Sequence, residues 1–332
     1  MITPIIRLVI LAALFLVFPL NALTIKLGTL APEGSPWDNG LRKINAEWKE
    51  LSDGKVSFKI YPGGIAGDEE DMIRKMRIGQ LDAAGITGVG LTRIYPLILN
   101  VQAPLLVRTD EQLDYVLEKM KPKFEQGLEK KGFVILLWNK VGWVHFFSKK
   151  PVVYPEDLMK QKLFVWAGDA DGVQAWKEMG FHPVPLAVTD LMSSLQSGMV
   201  EAFTTTPLSA ATNQWFGLAK NMCELKWAPL LGGVIISRRT WNRIPKNLRP
   251  KLLKAARKIG KSMESEIAEA DQKAVIIMKQ HGLTINPVSE DALQEWKSVV
   301  EKGTRKVFGN SLEKEIYNEI EALIREFKSE NE

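Results

Sequence analysis

One segment of the chain has helical periodicity over about 30 residues, and it constrains the fold more than any other feature. Its apolar side chains recur every three or four residues: Leu248, Leu252, Ala256, Ile259, Met263, Ile267, Ala270, Ala274 and Ile277. A helix of this length is roughly 45 Å long, which exceeds one lobe of a chain this size. Gly260 lies within the segment, and an interior glycine costs about 1 kcal/mol relative to alanine. The pattern predicts either one helix that lies across two lobes or two helices broken near Gly260.

Two distant segments have the same order of elements, which is helix, glycine and strand. Residues 68–78 are predicted to be helical, Gly79 follows, and the next strand ends at Thr87. Residues 189–197 repeat this pattern with Gly198 and a strand that ends in a run of threonines. A glycine after a helix supplies the left-handed conformation that ends it. The repetition indicates two similar α/β lobes, each with a loop at the carboxyl end of a strand, where open α/β sheets bind ligands.

Composition and charge are those of a globular protein. The 332 residues are 45% hydrophobic and 25% charged, which is sufficient for two lobes with cores and excludes disordered and fibrous classes. The net charge of +5 is spread over the chain without a basic block. Nucleic acid is therefore not an expected partner.

Residues 1–22 have the pattern of a secretory signal. Arg7 precedes an almost wholly apolar run at 8–20, and cleavage is predicted after Ala22. The run is short for a membrane span, so periplasmic export with cleavage is favoured over an uncleaved inner-membrane anchor. The single cysteine, Cys223, lies far from this segment. It therefore excludes an intrachain disulfide and argues against a lipid anchor.

Sequence motifs for metal binding and common catalysis are missing. His145, His182 and His281 lie in separate segments without metal-ligand spacing. There is no nucleophile elbow, phosphate loop or dinucleotide-binding motif. His145 with Asp169 or Asp171 is a conceivable acid–base pair, but no nucleophile accompanies it. We predict a binding protein with no catalytic residues, metal or cofactor, with an enzyme as the alternative.

Several short segments match one known family in the family's own order, from about Leu23 to about Leu283. They are Tyr61-Pro-Gly-Gly-Ile-Ala-Gly-Asp-Glu-Glu70, Arg77-Ile-Gly-Gln-Leu-Asp82, Tyr154-Pro-Glu-Asp-Leu158, Met179-Gly-Phe-His-Pro-Val-Pro185, Leu195-Gln-Ser-Gly-Met-Val-Glu201, Thr206-Pro-Leu208 and Trp241-Asn-Arg-Ile-Pro245. In these segments the sequence resembles the solute-binding proteins of TRAP-type (tripartite ATP-independent periplasmic) transporters, the DctP superfamily.

The resemblance implies an α/β, two-lobed periplasmic-binding-protein fold (type II-like) with a hinge and a long helix bridging both lobes. We expect lobe I to comprise 23–142 plus 232–275, and lobe II to comprise 143–231 plus 276–332. Such proteins close on a small solute in the inter-lobe cleft and deliver it to an ion-driven membrane permease.

Two positions depart from the family pattern. The family typically has an arginine in the strand after the Pro-Glu-Asp-Leu element, where it pairs with the solute carboxylate, and this chain has Phe164 there. A second family arginine often follows a glycine by two residues, and Val144 occupies that position after Gly142. An unpaired buried carboxylate costs several kcal/mol. An ordinary carboxylate clamp is therefore not expected.

We hypothesise an apolar or aromatic-lined cleft with few polar contacts, as small-molecule pockets often have. The predicted ligand-binding residues are Thr87, Trp138, Trp143, Val144, Phe164, Trp166, Thr205 and Thr206. For each tryptophan, burial in a lobe core is the alternative.

The predicted function is a TRAP receptor for a hydrophobic or weakly polar solute. The alternatives are a receptor for a monocarboxylate or 2-oxo acid held without the arginine clamp, and a periplasmic sensor input. The stretch Phe164-Val-Trp-Ala-Gly-Asp169 resembles a TRAP subgroup that works with a periplasmic tetratricopeptide-repeat protein. Such a repeat protein is therefore an expected partner, on resemblance alone.

Overall fold

The computed structural model describes residues 22–167, 170–307 and 312–331, without the side chains of 170–171 and 305–307. All of the predicted signal except residue 22 lies outside the described residues, as do Gly168 and Asp169. No helix within the described ranges has both the length and the apolar character needed to cross a bilayer.

The elements alternate between strands and helices along most of the chain. The β-strands are β1 (Leu23–Thr29), β2 (Val56–Tyr61), β3 (Ala83–Thr87), β4 (Phe133–Ser148), β5 (Lys162–Trp166), β6 (His182–Leu186), β7 (Ala202–Thr205), β8 (Asn221–Cys223), β9 (Ala228–Ser237) and β10 (Thr284–Asn286). The α-helices are α1 (Pro36–Leu51), α2 (Glu69–Ile78), α3 (Gly88–Ile94), α4 (Asp110–Lys130), α5 (Pro155–Met159), α6 (Ala170–Glu178), α7 (Leu191–Ser197), α8 (Pro207–Thr212), α9 (Arg238–Arg243), α10 (Arg249–Gln280), α11 (Glu290–Val307) and α12 (Lys314–Asn331).

The strands form two sheets that share β4. In lobe I the order is β2-β1-β3-β9-β4, with β1 parallel to β2 and β3 and with β9 antiparallel to its neighbours. In lobe II the order continues as β4-β7-β5-β6, and β8 and β10 extend the sheet from β4. The predicted mixed α/β architecture with two lobes is confirmed.

Both predicted helix–glycine–strand units are present. α2 ends at Gly79 with φ 82°, and β3 follows; α7 ends at Gly198 with φ 75°, and β7 follows. These positive φ values are the left-handed conformation that glycine adopts without a steric penalty. The two strands therefore end in equivalent places in the two lobes.

β4 and β9 pair antiparallel from Phe133↔Ser237 in lobe I to Val144↔Ala228 in lobe II. Two register shifts interrupt the pairing, one between Ile135 and Leu137 and one between Lys140 and Gly142. A β-bulge bends a strand and increases its twist. These two strands therefore form the connection between the lobes, and the second shift lies at the predicted lobe boundary.

α10 is a single helix of 32 residues that contacts both lobes, so the first of the two predicted alternatives is confirmed. Leu252 and Ala256 pack in a lobe I cluster, whereas Met278 packs in a lobe II cluster. Gly260 is buried against Leu137, whose side chain lies 3.1 Å from where a Cβ on this glycine would stand. Close approach of the helix to β4 explains why a glycine is present without a break in the helix.

The last helix, α12, packs on lobe I. Its buried residues Ile316, Ile320 and Ile324 belong to the same hydrophobic cluster as Phe124 of α4. The expected assignment of 276–332 to lobe II does not fit this helix, because its apolar stripe is covered by α4 on the other lobe. The remaining lobe boundaries stay a prediction.

Candidate functional site

A cavity of about 380 Å³ lies between the two lobes. Lobe I contributes the segment after β1, α1, and the carboxyl end of β3. Lobe II contributes the carboxyl ends of β5 and β7 and the segments that follow β6 and β7. β4, β9 and α10 complete the wall. The cavity therefore lies where strand ends of two α/β lobes face each other, as expected for a ligand site in this architecture.

Four of the residues predicted to bind the ligand line this cavity. Thr87 lies at the end of β3 and Thr205 at the end of β7, on opposite lobes. Phe164 and Trp166 lie on β5, with their ring centroids 6.2 Å apart. Their contact with a ligand remains a prediction, but the structure brings these four side chains to one cavity.

The two other predicted tryptophans are placed elsewhere. Trp138 packs in the lobe I core, and its Nε1 donates to Glu125 Oε1 over 3.1 Å. Trp143 belongs to the same cluster, donates from Nε1 to Asp110 Oδ1 over 3.3 Å, and has Lys226 Nζ 5.2 Å from its ring centroid. Neither lines the cavity. Burial in a lobe core, the alternative in the sequence analysis, describes their position.

Val144 and Thr206 also lie away from the cavity lining. Val144 packs in a lobe II core cluster. Thr206 is the N-cap of α8, and its Oγ1 accepts a hydrogen bond from Ser209 N over 3.3 Å. Its hydroxyl is therefore used to start a helix, as threonine often is.

The alternation of side chains along β4 explains which residues reach the cavity. Leu137, Asn139 and Val141 line it, whereas Trp138 points to the opposite face of the strand. Successive residues of a strand face opposite sides, so a shift of one residue exchanges the lining for the core. The signal that could have identified Asn139 is a neutral polar side chain beside the apolar run of β4, and the sequence analysis missed it.

Glu69 is a second lining residue that the sequence analysis missed, and it is fully buried at the start of α2. Its Oε1 accepts from Thr87 N over 2.7 Å, and its Oε2 accepts from Gly90 N over 2.7 Å and Thr87 Oγ1 over 3.0 Å. Burial raises the pKa of Glu69 to about 7, although these hydrogen bonds oppose the increase. The carboxyl group therefore fixes the junction where β3 ends and α3 begins.

None of the described residues that line the cavity is a lysine, arginine or histidine. Phe164, at the position of a family arginine, is buried and lines the cavity. Two cations near β4 are engaged outside it: Lys140 pairs with Asp114 over 2.7 Å, and Lys226 lies over Trp143. Among described residues the cavity thus has one ionisable lining group, Glu69, and no cation.

Two carboxylates fix the geometry around the cavity. Asp68 Oδ2, in lobe I, accepts from Val188 N of lobe II over 3.0 Å, so this bond crosses the cleft. Burial raises the pKa of Asp68. Asp271 Oδ1 of α10 accepts from Leu208 N over 2.8 Å, and burial raises its pKa to about 6. The first bond holds the lobes together, and the second ties α8 to the long helix.

The histidine considered for acid–base chemistry is a buried core residue. His145 Nδ1 lies 3.0 Å from Cys223 O, and burial lowers the pKa of the imidazole to about 4. It does not line the cavity. Asp169 and the side chain of Asp171 lie outside the described residues. No group of three or more potential metal ligands is found in the described part of the chain.

Comparisons with known proteins identify the family. Residues 27–311 match the model of the DctP family, described as bacterial extracellular solute-binding protein, family 7. The chain is 29% identical to a solute-binding protein of Roseobacter denitrificans over 54% of this chain and 55% of that protein. It is 23% identical to the sialic acid-binding periplasmic protein SiaP of Vibrio cholerae, over 80% of this chain and 83% of the relative.

Solved structures share the fold. A TRAP periplasmic solute-binding protein of Sulfurospirillum deleyianum with bound succinate has a TM-score of 0.83 and 23% identity, covering 90% of this chain and 98% of that one. One of Xanthobacter autotrophicus with bound β-D-galacturonate has a TM-score of 0.83 and 19% identity, covering 90% and 99%. The family match extends over most of this chain and agrees with the fold. The chain therefore belongs to the DctP family of TRAP-type solute-binding proteins.

Proposed function

We propose that this protein is a periplasmic TRAP receptor for an uncharged, largely apolar solute that binds between the lobes. Thr87, Phe164, Trp166 and Thr205 are the lining residues that we expect to contact it. The receptor then presents the solute to an ion-coupled membrane permease. Binding without chemical conversion is the whole of its proposed role.

The observation that carries this proposal is the lack of a cation among the described lining residues, with Phe164 where the family typically has an arginine. A carboxylate that leaves water for such a cavity loses its hydration without gaining a charged partner. That transfer costs several kcal/mol in proteins. An acidic solute is therefore disfavoured relative to a neutral one of the same shape.

Glu69 adds to this preference. Its carboxyl group faces the same cavity and already accepts three hydrogen bonds from Thr87 and Gly90. Where Glu69 is ionised, a solute anion meets a like charge, which is unfavourable at low dielectric. Where Glu69 is protonated, it is neutral and still offers a solute anion no positive charge.

The solutes of solved relatives differ from the one proposed here. Succinate and β-D-galacturonate are present in the two structures described above, and orotic acid is bound in a TRAP protein of Desulfovibrio salexigens. All three are acids. Proteins that share a fold bind different solutes. The residues that line this cavity are therefore a better guide to its solute than the solutes bound by its relatives.

Native mass spectrometry of gently purified protein, followed by extraction of the adduct, tests the proposal. We expect a neutral, largely apolar adduct. Phe164→Arg is expected to lower its affinity by at least about tenfold, because a charged guanidinium replaces an apolar ring in the wall that faces the solute. Phe164→Leu keeps the apolar character and serves as the matched control. An organic acid as the bound adduct would contradict the proposal and favour the monocarboxylate or 2-oxo acid alternative.

Export and the repeat-protein partner are further parts of the proposal. The apolar run at 8–20 supports a cleaved signal, which the mass of the exported protein checks.

The resemblance of the stretch that begins at Phe164 supports a periplasmic tetratricopeptide-repeat partner. A pull-down of periplasmic proteins with the tagged receptor tests that association, and failure to recover a tetratricopeptide-repeat protein would contradict it.

A further inference from the structure

Two side chains in the cavity wall have buried polar atoms without hydrogen-bond partners. Asn139 lacks a partner for both Nδ2 and Oδ1, and Trp37 lacks one for Nε1. Asn139 is only 6% exposed. The other buried polar atoms without a partner, in the described part of the chain, belong to side chains that do not line the cavity.

An unpaired amide is a costly group to keep at this position. Each buried donor or acceptor left without a partner costs about 1–3 kcal/mol, and native proteins rarely retain one. The neighbours of Asn139 that also line the cavity, Leu137 and Val141, are apolar. Leucine has nearly the same shape as asparagine and would extend this apolar surface without that cost. The amide therefore has a use that leucine does not provide.

The fold places Asn139 in the wall of the cavity, with room beside it for the amide to turn. Asn139 lies on β4 opposite Gly232 of β9, a residue that has no side chain and also lines the cavity. The adjacent Lys140 pairs with Asp114 outside the cavity. Trp37 approaches from α1, where it packs against a cluster that contains Met263 and Ile267. One wall therefore supplies a donor and an acceptor together, and another supplies a donor.

Resting on the proposed function, we infer that Asn139 and Trp37 recognise the polar edge of a neutral solute. The solute has an apolar body and an adjacent donor and acceptor, as in a carboxamide or lactam. On binding, the amide of Asn139 turns towards the solute, so that Nδ2 donates to the solute carbonyl and Oδ1 accepts from its N–H. Trp37 Nε1 donates to a further acceptor. Asn139 is thus a specificity-determining residue of the site.

Other solute classes satisfy these groups less well. A hydrocarbon leaves all three polar atoms unpaired, and a ketone leaves Asn139 Oδ1 without a donor. A carboxylate places an acceptor against that oxygen, and its charge shares the cavity with Glu69. A site built to hydrogen-bond a group rejects an analogue that lacks it more strongly than an apolar pocket rejects a missing methylene.

Isothermal titration calorimetry with three probes of one skeleton tests this inference. The probes are phenylbutanamide, the methyl ketone in which CH₃ replaces the amide NH₂, and phenylbutanoate. For the unaltered protein we expect the amide to bind at least about tenfold tighter than the ketone. In Asn139→Leu this preference is expected to disappear, through weaker binding of the amide. Trp37→Phe keeps the aromatic packing and is expected to weaken both neutral probes several-fold.

The outcomes separate this inference from the function it rests on. Equal affinity for amide and ketone, including no measurable binding of both, overturns the role of Asn139. So does an amide preference that survives Asn139→Leu. Tighter binding of phenylbutanoate than of either neutral probe overturns the proposed neutral solute itself. Thermal unfolding by circular dichroism verifies that each variant is folded, and Trp37→Phe provides an independent reading if Asn139→Leu does not fold.

Discussion

The two lobes present different chemistry to one cavity. Lobe I contributes a buried carboxyl group, Glu69, whose hydrogen bonds fix the backbone at Thr87. Lobe II contributes the aromatic side chains of Phe164, Trp166 and Trp215. One half of the site is thus ordered through hydrogen bonds to the main chain, and the other through the shape of packed rings. The comparison teaches that similar topology in two lobes does not require similar packing.

The cores behind these walls differ in the same way. In lobe II, a cluster of rings surrounds Phe146 and includes Trp176, Phe181, Trp227 and Trp296. The main lobe I core is dominated by aliphatic and methionine side chains, although Phe124, Phe133 and two tryptophans occur in it. Ring pairs contribute about 0.5–1.5 kcal/mol beyond their buried area, and they also restrict geometry. Lobe II is therefore expected to tolerate core truncation less well than lobe I.

Truncation of Trp296 is expected to have the largest effect. Its ring stacks on Phe146 at 5.1 Å, and its Nε1 donates to Val153 O over 2.8 Å. Trp296→Ala is expected to lower the free energy of unfolding by about 3–5 kcal/mol, measured by urea denaturation. Phe124→Ala is the matched truncation of a fully buried ring in the main lobe I core. An equal or larger cost for Phe124→Ala would contradict the proposed difference between the lobes.

The free energy of unfolding is expected to depend on pH through the titration of Glu69, the buried carboxyl group of lobe I. Burial raises the pKa of Glu69 from its ordinary value of 4.5, which applies to the unfolded chain, to about 7 in the folded protein. The folded state therefore binds the proton more tightly than the unfolded state. Its contribution is then fully present below about pH 4.5 and is lost as the pH rises to about 7. The loss is about 3 kcal/mol.

Glu69→Gln removes this titration, so the difference in unfolding free energy between the two proteins should vary with pH in that window. Asp271→Asn is the control, because it removes a different buried carboxyl group whose pKa is raised to about 6. Its effect on the unfolding free energy should therefore change at lower pH than that of Glu69→Gln. Asp68, the neighbouring carboxylate, is unchanged in both variants. A difference that stays constant from pH 4.5 to 7 would show that Glu69 keeps its ordinary pKa.

Loss of the bond across the cleft is expected to have the smallest effect. Asp68→Ala removes the acceptor for Val188 N and the N-cap of α2. Thr109→Ala removes an N-cap, on α4, that does not face the cleft. Both variants are expected to lose about 1 kcal/mol of stability. Only Asp68→Ala is expected to weaken solute binding, by roughly fivefold. Equal affinities in the two variants would exclude a role for this bond in closure.

Most of the fold could be predicted from the sequence because periodicity and glycine positions are local signals. The strand β1, the caps at Gly79 and Gly198, and the long stripe of α10 all follow from residue order. Whether Gly260 breaks the helix could not be decided locally. That outcome depends on Leu137, which lies far away in sequence and packs against the glycine.

The site residues were harder to predict from the sequence, because successive side chains of a strand point to opposite faces. The prediction selected Trp138 on β4, whereas the neighbouring Asn139 lines the cavity. Family position located Phe164 in the lining, but the equivalent argument for Val144 led to a lobe II core. Glu69 lies far from the strand ends that drew attention, and only the folded chain brings it to Thr87.

The shared pairing of β4 with β9 has a mechanical consequence. The two strands stay paired through the junction between the lobes, so the lobes are joined by a two-stranded antiparallel ribbon, a form in which sheet twist is largest. Gly142, with φ 133°, gives that ribbon a compliant point beside the second bulge. We therefore expect the cleft to open and close by torsion about this ribbon, whose stiffness would then set how much binding energy keeps the two lobes closed.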